Sequence, residues 1–443
     1  MMSQQSAEQT GPEAAARPPR SSLWRHRSFL LLWSGETVSQ TGAQISLVAV
    51  PLTAISALHA GPTEVSFLTA LQYAPVLLIT LFAGAWLDRH RRRPVLVATN
   101  LVRFLLIALI PVSYLTDSLS LGLLYLVTFV IGLLTAVSDV AYLVYLNSLV
   151  SREQLIEANA KLEGAYSIAQ IGGPGLGGVL VQVVTAPVAL LANAGTYLLA
   201  ALTFLGIRAP ETVAEAERER PRLRTEIADG LRAIFGHRVL RLLAVQSAAY
   251  NLFEQIVLTL YLLFGVRELR LSAGELGVIL TTASVGGLGG ALLAGRAAKA
   301  LGIGRCIVGS MVVAAAGLVV VPFAPARPAV AIPLLIGGFV VYGFGLGIFN
   351  VHSLTVRIAL APAGLLGRIT ATFRLMIYAT IPVGALLAGA LGNLAGIRTA
   401  ITLGAVPLLG LSVLFWFSAV RHAEIPADGT DGESGGESGG ESG

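Results

Sequence analysis

Gly84-Ala85-Trp86-Leu87-Asp88-Arg89-His90-Arg91-Arg92-Arg93-Pro94 is the stretch that decides the fold. An apolar run precedes it, from about Phe67 to Leu87. Another follows, from about Val95 to Tyr114. Between them an acid and four arginines fall within six residues. Each run is long enough to cross hydrocarbon, which takes about 20 apolar residues per helix. A turn this charged must face water, and its excess of arginine assigns it to the cytoplasmic side.

The whole chain agrees with that stretch. Its 443 residues are 55% hydrophobic and 12% charged, about half the charge of a soluble domain. Apolar blocks of membrane-crossing length recur, and the alternating pattern of a transmembrane barrel is absent, so the fold is all-α and integral to the membrane. A single cysteine, Cys306, excludes an internal disulfide framework, and no clustered metal-ligand spacing occurs. No HExxH and no GxxxxGK[ST] motif is present, and neither lysine, Lys161 or Lys299, follows a glycine. The sequence therefore offers no metalloprotease or P-loop chemistry. It reads as a non-enzyme with no bound cofactor. The formal net charge of +5 sits in turns between apolar runs and gives no case for nucleic acid.

Twelve apolar helices are expected, at about 29–58, 65–87, 95–115, 119–146, 160–183, 187–207, 240–264, 275–295, 305–324, 329–351, 367–392 and 399–419. Residues 1–22 are polar, lack the apolar core of a cleaved signal peptide, and are expected to be a disordered tail. Residues 422–443, which end in repeated Gly-Glu-Ser units, read the same way. The longest polar interruption, 209–237, is charged and holds an amphipathic piece from Thr225 to Phe235. It separates an N-terminal six-helix bundle, 23–208, from a C-terminal one, 238–421. An offset of 211 residues relates the two: Gly84 meets Gly295, Ala160 meets Ala371, Gly173 and Gly178 meet Gly384 and Gly389, and Leu180 meets Leu391. Internal repeats of this kind are typical of secondary transporters. With both termini inside, 24 of the 30 Lys and Arg fall in cytoplasmic loops and 4 outside, while Arg103 and Arg374 lie within helices. That split sets the expected orientation.

Twelve helices as six plus six, with this basic turn between helices 2 and 3, resemble the major facilitator superfamily. Its signature there reads G-x-x-x-D-R/K-x-x-R/K-R/K, and Gly84, Asp88, Arg89, Arg92 and Arg93 match it. The counterpart Gly295-Arg296-Ala297-Ala298-Lys299 keeps the glycine and lacks the acid. Helix 5 carries Gly173-Pro174-Gly175-Leu176-Gly177-Gly178, similar to the G-P-x-x-G-G end of the motif of exporter branches. The runs Leu149–Leu155 through Asn159, and Gly367-Arg368 through Arg374, resemble the branch of bacterial macrolide and siderophore exporters. The resemblance spans about Leu23 to Val420. It implies two pseudo-symmetric bundles rocking about a central cavity, a location in a bacterial inner membrane, and export coupled to the proton gradient.

Individual residues then acquire candidate roles. In the basic turn, the arginines set topology, whereas topology needs no acid, so Gly84, Asp88, Arg89 and Arg92 form a candidate conformational latch centred on Asp88. Gly173, Pro174, Gly177 and Gly178 read as a close-packing face of helix 5, because small residues let membrane helices approach; a hinge is the other reading. Ionisable groups inside membrane helices cost about 2.5–3.5 kcal/mol each at the bilayer centre and mark function by default. Glu36, Asp139, Glu254 and Arg374 are therefore candidates for proton coupling. Arg103 and Glu163 lie nearer a helix end and are expected to snorkel. Glu36, Gln40 and Gln44 are spaced four apart on one helix face. The offset maps them to Ser247, Asn251 and Gln255, and maps Asp139 to Asn350. In the superfamily the first and fourth helices of each half line the cavity, so these residues, with Tyr142 and Tyr378, are candidates for a substrate path; polar glue between helices is the plainer alternative.

The expected function is export of an amphiphilic small molecule, a drug or secondary metabolite, by a monomer in the lipid bilayer. A lipid or lysolipid translocator of the same fold, and a non-transporting membrane receptor or scaffold, are the alternatives. A scaffold gains nothing from buried acids.

Overall fold

Where hydrocarbon excludes water, each backbone must close its own hydrogen bonds, so apolar runs become helices. The computed structural model describes residues 23–87, 90–151, 153–208, 223–362 and 364–422, and among them no strand occurs. The two terminal tails, Asp88, Arg89 and the charged first part of the linker lie outside the described residues.

The helices are α1 (Arg27–Ala57), α2 (Pro62–Leu87), α3 (Arg92–Leu115), α4 (Leu121–Leu149), α5 (Leu155–Val184), α6 (Ala186–Leu205), α7 (Leu223–Gly236), α8 (Arg238–Arg267), α9 (Ala273–Leu301), α10 (Ile303–Val319), α11 (Pro328–Leu360), α12 (Leu366–Ala395) and α13 (Ile397–Trp416). Among the described residues, eleven are long and apolar enough to cross a bilayer, and the 26-residue α2 completes twelve. α7 is the short helix between the bundles. Several helices outrun their apolar cores. α9 reaches Leu301 and α11 reaches Leu360, where Lys299 and Arg357 sit in the last turns. Periodicity of apolar residues ends at the hydrocarbon boundary, but backbone hydrogen bonding continues into the interface.

Local chemistry fixes the ends. His26 caps α1 by accepting from the Phe29 N–H at 3.1 Å. Ser272 and Glu275 form a capping box on α9. Arg93 closes the opposite kind of end: its Nε donates to the Phe204 carbonyl at 3.1 Å and its Nη2 to that of Leu205. A cation at the C-terminus of α6 satisfies orphan carbonyls and opposes the helix dipole. One arginine of the basic turn thus does more than set topology.

The 211-residue offset is visible as contacts. A Cβ at Gly173 would lie 2.2 Å from the Gln44 Cβ, and one at Gly384 would lie 2.9 Å from that of Gln255, the equivalent pair. These glycines seat α5 on α1 and α12 on α8. Between the bundles, a Cβ at Gly178 would meet Gly277 Cα at 2.8 Å, and one at Gly389 would meet the Ser66 Cβ at 2.8 Å. Gly277 and Ser66 are again 211 apart. The two bundles therefore meet along two equivalent seams, α5 with α9 and α2 with α12. Through Gly173, Pro174 and Gly178, α5 runs as one unbroken helix.

Cross-bundle hydrogen bonds cluster at the end away from the chain termini. Arg267 donates to the carbonyls of His59 at 3.0 Å and Ala60 at 2.8 Å. Asn393 bonds Thr63 nearby. Among the described residues, the one nearest the termini is Ser284 to the Gln170 carbonyl, halfway along both helices. Among the described residues, hydrogen bonds fasten the bundles at the far end.

One position breaks the repeat. Gly396 opens α13 with φ 85°, and its equivalent, Thr185, opens α6 with φ 98° and ψ 155°. This backbone region is essentially reserved for glycine, and a β-branched residue there stores about 1–3 kcal/mol of strain. Thr185→Gly is expected to raise stability by a sizeable part of that amount. Thermal unfolding followed by labelling of the buried Cys306 thiol reads it directly, and a drop in stability would refute it. In the same assay Gly178→Val is expected to cost about 1–3 kcal/mol by overpacking the seam. Gly195→Val, which meets nothing within 4 Å, should cost much less.

Candidate functional site

The bundles differ in how they hold their acids. In the first, Glu36 of α1 accepts a hydrogen bond from Gln40 Nε2 at 2.7 Å, one helical turn away. Glu36, Thr37 and Gln40 share a cavity of about 140 Å3 with Tyr142 of α4 and Glu163 and Tyr166 of α5. These residues lie in the halves of their helices nearer the chain termini. Asp139, half-buried on α4, acts electrostatically on Glu36. Asp139 itself feels Arg103 of its own bundle and Arg374 of the other. No ion pair within 4 Å joins these groups among the described residues.

Arg103 departs from expectation. It does not snorkel: it is 4% exposed, its Nη2 donates to the Leu134 carbonyl at 2.8 Å, and its guanidinium lies over the Tyr197 ring at 5.3 Å. Eleven residues into α3 it stands about 16 Å from the helix start, beyond reach of the interface, so it is paid for by a carbonyl and an aromatic face instead. Glu163, exposed on α5, lines the cavity.

In the second bundle the acid is enclosed. Glu254 of α8 is 7% exposed. The Tyr342 hydroxyl of α11 donates to its Oε1 at 2.5 Å, and Asn251 Nδ2 donates to Oε2 at 3.3 Å. Thr380 of α12 donates to Asn251 Oδ1 at 2.9 Å. One carboxyl thus links three helices. Hydrogen bonds to an ionised carboxylate are about twice as strong as neutral ones, so its protonation state bears on how α8, α11 and α12 pack.

The remaining candidates are scattered around these two centres. Gln44 is drawn into the α1–α5 contact at Gly173, and Gln255 into the α8–α12 contact at Gly384, where it also donates to Thr259 at 3.0 Å. Ser247 is buried, and Asn350 is exposed on α11. Arg374 is exposed on α12 with its guanidinium over Tyr378 at 5.3 Å. Tyr378 lies within electrostatic reach of Tyr73 on α2 and Tyr166 on α5. Gly177 packs on Ile45 of α1. Of the latch, Gly84 ends within α2, Arg92 is buried at the start of α3, and Asp88 and Arg89 lie outside the described residues. Sequence reasoning missed Tyr342 and Thr380. Nothing distinguishes Tyr342 among eleven tyrosines until α11 is placed beside α8. Among the described residues, no group of three His, Cys, Asp or Glu side chains is arranged to hold a metal.

Comparisons with known proteins bear on this arrangement. The chain is 27% identical over 408 residues to the multidrug efflux pump Tap of Mycolicibacterium fortuitum, covering 88% of this chain and 95% of that protein. It is 26% identical over 401 residues to the multidrug efflux pump Tap of Mycobacterium tuberculosis, covering 87% and 91%. Among solved structures, the nucleoside transporter NupG matches with a TM-score of 0.68 at 12% identity, over 88% of this chain and 98% of that one. A bacterial homologue of the lysosomal transporter Spinster, inward-facing and unoccupied, matches with a TM-score of 0.67 at 13% identity, over 90% and 98%. At such identities the structures show the fold, that of the major facilitator transporters. The profile of one family, described as transmembrane secretion effector, matches residues 20–431. The chain therefore belongs to the transmembrane secretion effector family, membrane transporters of the major facilitator superfamily and not enzymes.

Proposed function

We propose that this protein exports an amphiphilic small molecule from the cytoplasm in exchange for protons, by alternating access. The observation that carries the reading is the placement of buried acids: Glu36 and Asp139 beside a cavity in one bundle, and Glu254 tying three helices in the other. Similarity over nearly the full length of the Tap efflux pumps supports the export direction and the class of cargo. The arginine distribution puts the termini and α7 in the cytoplasm. On that orientation the seam fastened by Arg267 and Asn393 is the external gate, and the cavity of Glu36 lies on the cytoplasmic side. The protein sits in the cell's inner membrane and works as a monomer.

Proton binding at Glu36, Asp139 or Glu254 removes a charge from a poorly solvated place and favours one packing of the bundles over the other. The membrane potential supplies the drive, at about 2.3 kcal/mol per charge per 100 mV. Asp88 at the cytoplasmic turn acts as a latch in the state where that end closes. The polar, acid-bearing wall of the cavity speaks against a lipid translocator, whose path would be largely apolar.

In everted vesicles with an imposed pH gradient, Glu36→Gln, Asp139→Asn and Glu254→Gln are each expected to slow dye efflux at least about tenfold, which is about 1.4 kcal/mol of lost coupling. If all three efflux at the wild-type rate, the coupling assignment is wrong. Tyr342→Phe removes the stronger hydrogen bond on Glu254. It is expected to lower stability by about 1.5–3 kcal/mol at a pH where the carboxyl is ionised and by less where it is neutral. A cost independent of pH between 5 and 9, measured by thermal unfolding (roughly spanning the physiological range), would show that Glu254 does not change its protonation there.

A further inference from the structure

The second half of the chain carries positive charge that no acid balances. Between Glu275 and Glu424 there are nine Arg and Lys and not one Asp or Glu. Four of the nine meet at the end of the C-terminal bundle nearest the chain termini. Arg296 and Lys299 lie one turn apart near the end of α9, and Arg305 stands in the first turn of α10, just past Gly302. All three are exposed, and among the described residues their side chains make no hydrogen bond or ion pair. The ion pairs of this half go to Arg368 and Arg398 instead. Arg421 joins them through the 3-10 turn Ala419–His422, because Gly304 lies directly under the carbonyls of Val420 and Arg421. Its guanidinium stacks 5.0 Å from the Trp416 ring, and its Nε is buried without a hydrogen-bond partner. In the first bundle the equivalent of Gly304 is Arg93, which is occupied by two α6 carbonyls. Two features set the depth. Trp416 and the 75% exposed Phe417 close α13 at this level, and aromatic residues collect where hydrocarbon meets headgroups. Along α9, Val278, Val285 and Leu292 follow at intervals of seven on one exposed face, and Lys299 is the next step of the series. An exposed apolar stripe thus leads up to the cations.

Topology asks for basic residues in a loop. It does not ask for an apolar stripe leading to them, or for an arginine held flat on a tryptophan with an unmet donor. A cation in the first turn of α10 also opposes the helix dipole, and no side chain caps that helix. One ligand answers all of these features. A phosphate accepts from arginines and from N–H groups at a helix start, and acyl chains cover the stripe. We propose that Arg296, Lys299, Arg305 and Arg421 form a binding site for the headgroup of an anionic phospholipid, its acyl chains lying along Leu292 and Val285 of α9. The site needs only the membrane-spanning fold and is independent of the export reading. The other acidic candidate is the chain's own tail, with six Asp and Glu and no Arg or Lys after Arg421. That tail holds Ile425 as its one large apolar residue, so it would leave the stripe uncovered.

The test is native mass spectrometry of the purified full-length chain, titrated with phosphatidylglycerol or with phosphatidylcholine of the same chain length. A single phosphatidylglycerol is expected to stay bound, at least about tenfold more tightly than phosphatidylcholine. The triple variant Arg296→Gln, Lys299→Gln, Arg305→Gln should lose that preference. Arg232→Gln, Arg238→Gln, Arg241→Gln removes the same charge from α7 and the start of α8, and should keep it. Thermal unfolding shows that each variant is folded. Equal retention of the two lipids by the wild type, or an equal loss in both triple variants, overturns the proposal. Displacement of the lipid by glycerol phosphate at matching concentration would assign the site to a soluble phosphate and overturn the lipid reading. If phosphatidylglycerol binds only after the six tail acids are exchanged for their amides, the tail is the occupant and the proposal fails.

Discussion

Hydrocarbon leaves a polar group no water to fall back on, and nearly every feature of this molecule follows from that constraint. Backbones close on themselves as helices. Helix ends are capped by His26 or the Ser272–Glu275 pair, or by an arginine reaching across, as Arg93 does for α6. Charges that stay in the interior have neighbours that justify them. Arg103 takes a carbonyl and an aromatic face, and Glu254 takes a tyrosine hydroxyl and an amide. Because each such group is costly, those retained beside a cavity carry information about what the cavity is for.

The two bundles share a repeated layout but treat their acids differently. Glu36 borders open space and, among the described residues, is hydrogen-bonded by the neutral Gln40, so a ligand or a proton can reach it. Glu254 is sealed among α8, α11 and α12. A carboxyl in open space is suited to binding, and one enclosed among three helices is suited to converting a proton into a change of packing. The repeat would give each half the same device. Instead Ser247, the equivalent of Glu36, has no charge, and the acid in the second half lies seven residues further along α8.

Much of this was legible in the sequence where it depended on spacing along one helix. The apolar runs located the twelve helices, and the 211-residue offset pointed to glycines that lie in equivalent contacts. Gln40 under Glu36 followed from a separation of four. What was not legible depended on which helix lies beside which. Tyr342 meets Glu254 across 88 residues of sequence, and no periodicity within α11 marks it. Arg103 read as a residue near a helix end because apolar length gives no depth finer than a few residues; its true partners, Leu134 and Tyr197, belong to two other helices. Gln44 and Gln255 sat on the right helices, but one step of rotation takes them into the glycine contacts that seat α5 on α1 and α12 on α8.

Those seams have a consequence beyond packing. Exchanging the halves turns the Gly178–Gly277 contact into the Gly389–Ser66 contact, which is the self-complementary geometry of a two-fold dimer, here written into a single chain. A symmetric interface has no preferred side and cannot by itself tell one half from the other. The fastening at its edge can: Arg267 bonds the carbonyls of His59 and Ala60, while its counterpart, Ser56, turns back to the Leu52 carbonyl of its own helix. His59 and Arg270, also 211 apart, share the same left-handed turn, with φ 53° and 55°, so the backbone is ready on both sides, and of the pair Arg267 and Ser56 it is Arg267 that crosses. Fusion of two equal halves thereby freed one edge of a symmetric joint to become a one-sided clasp.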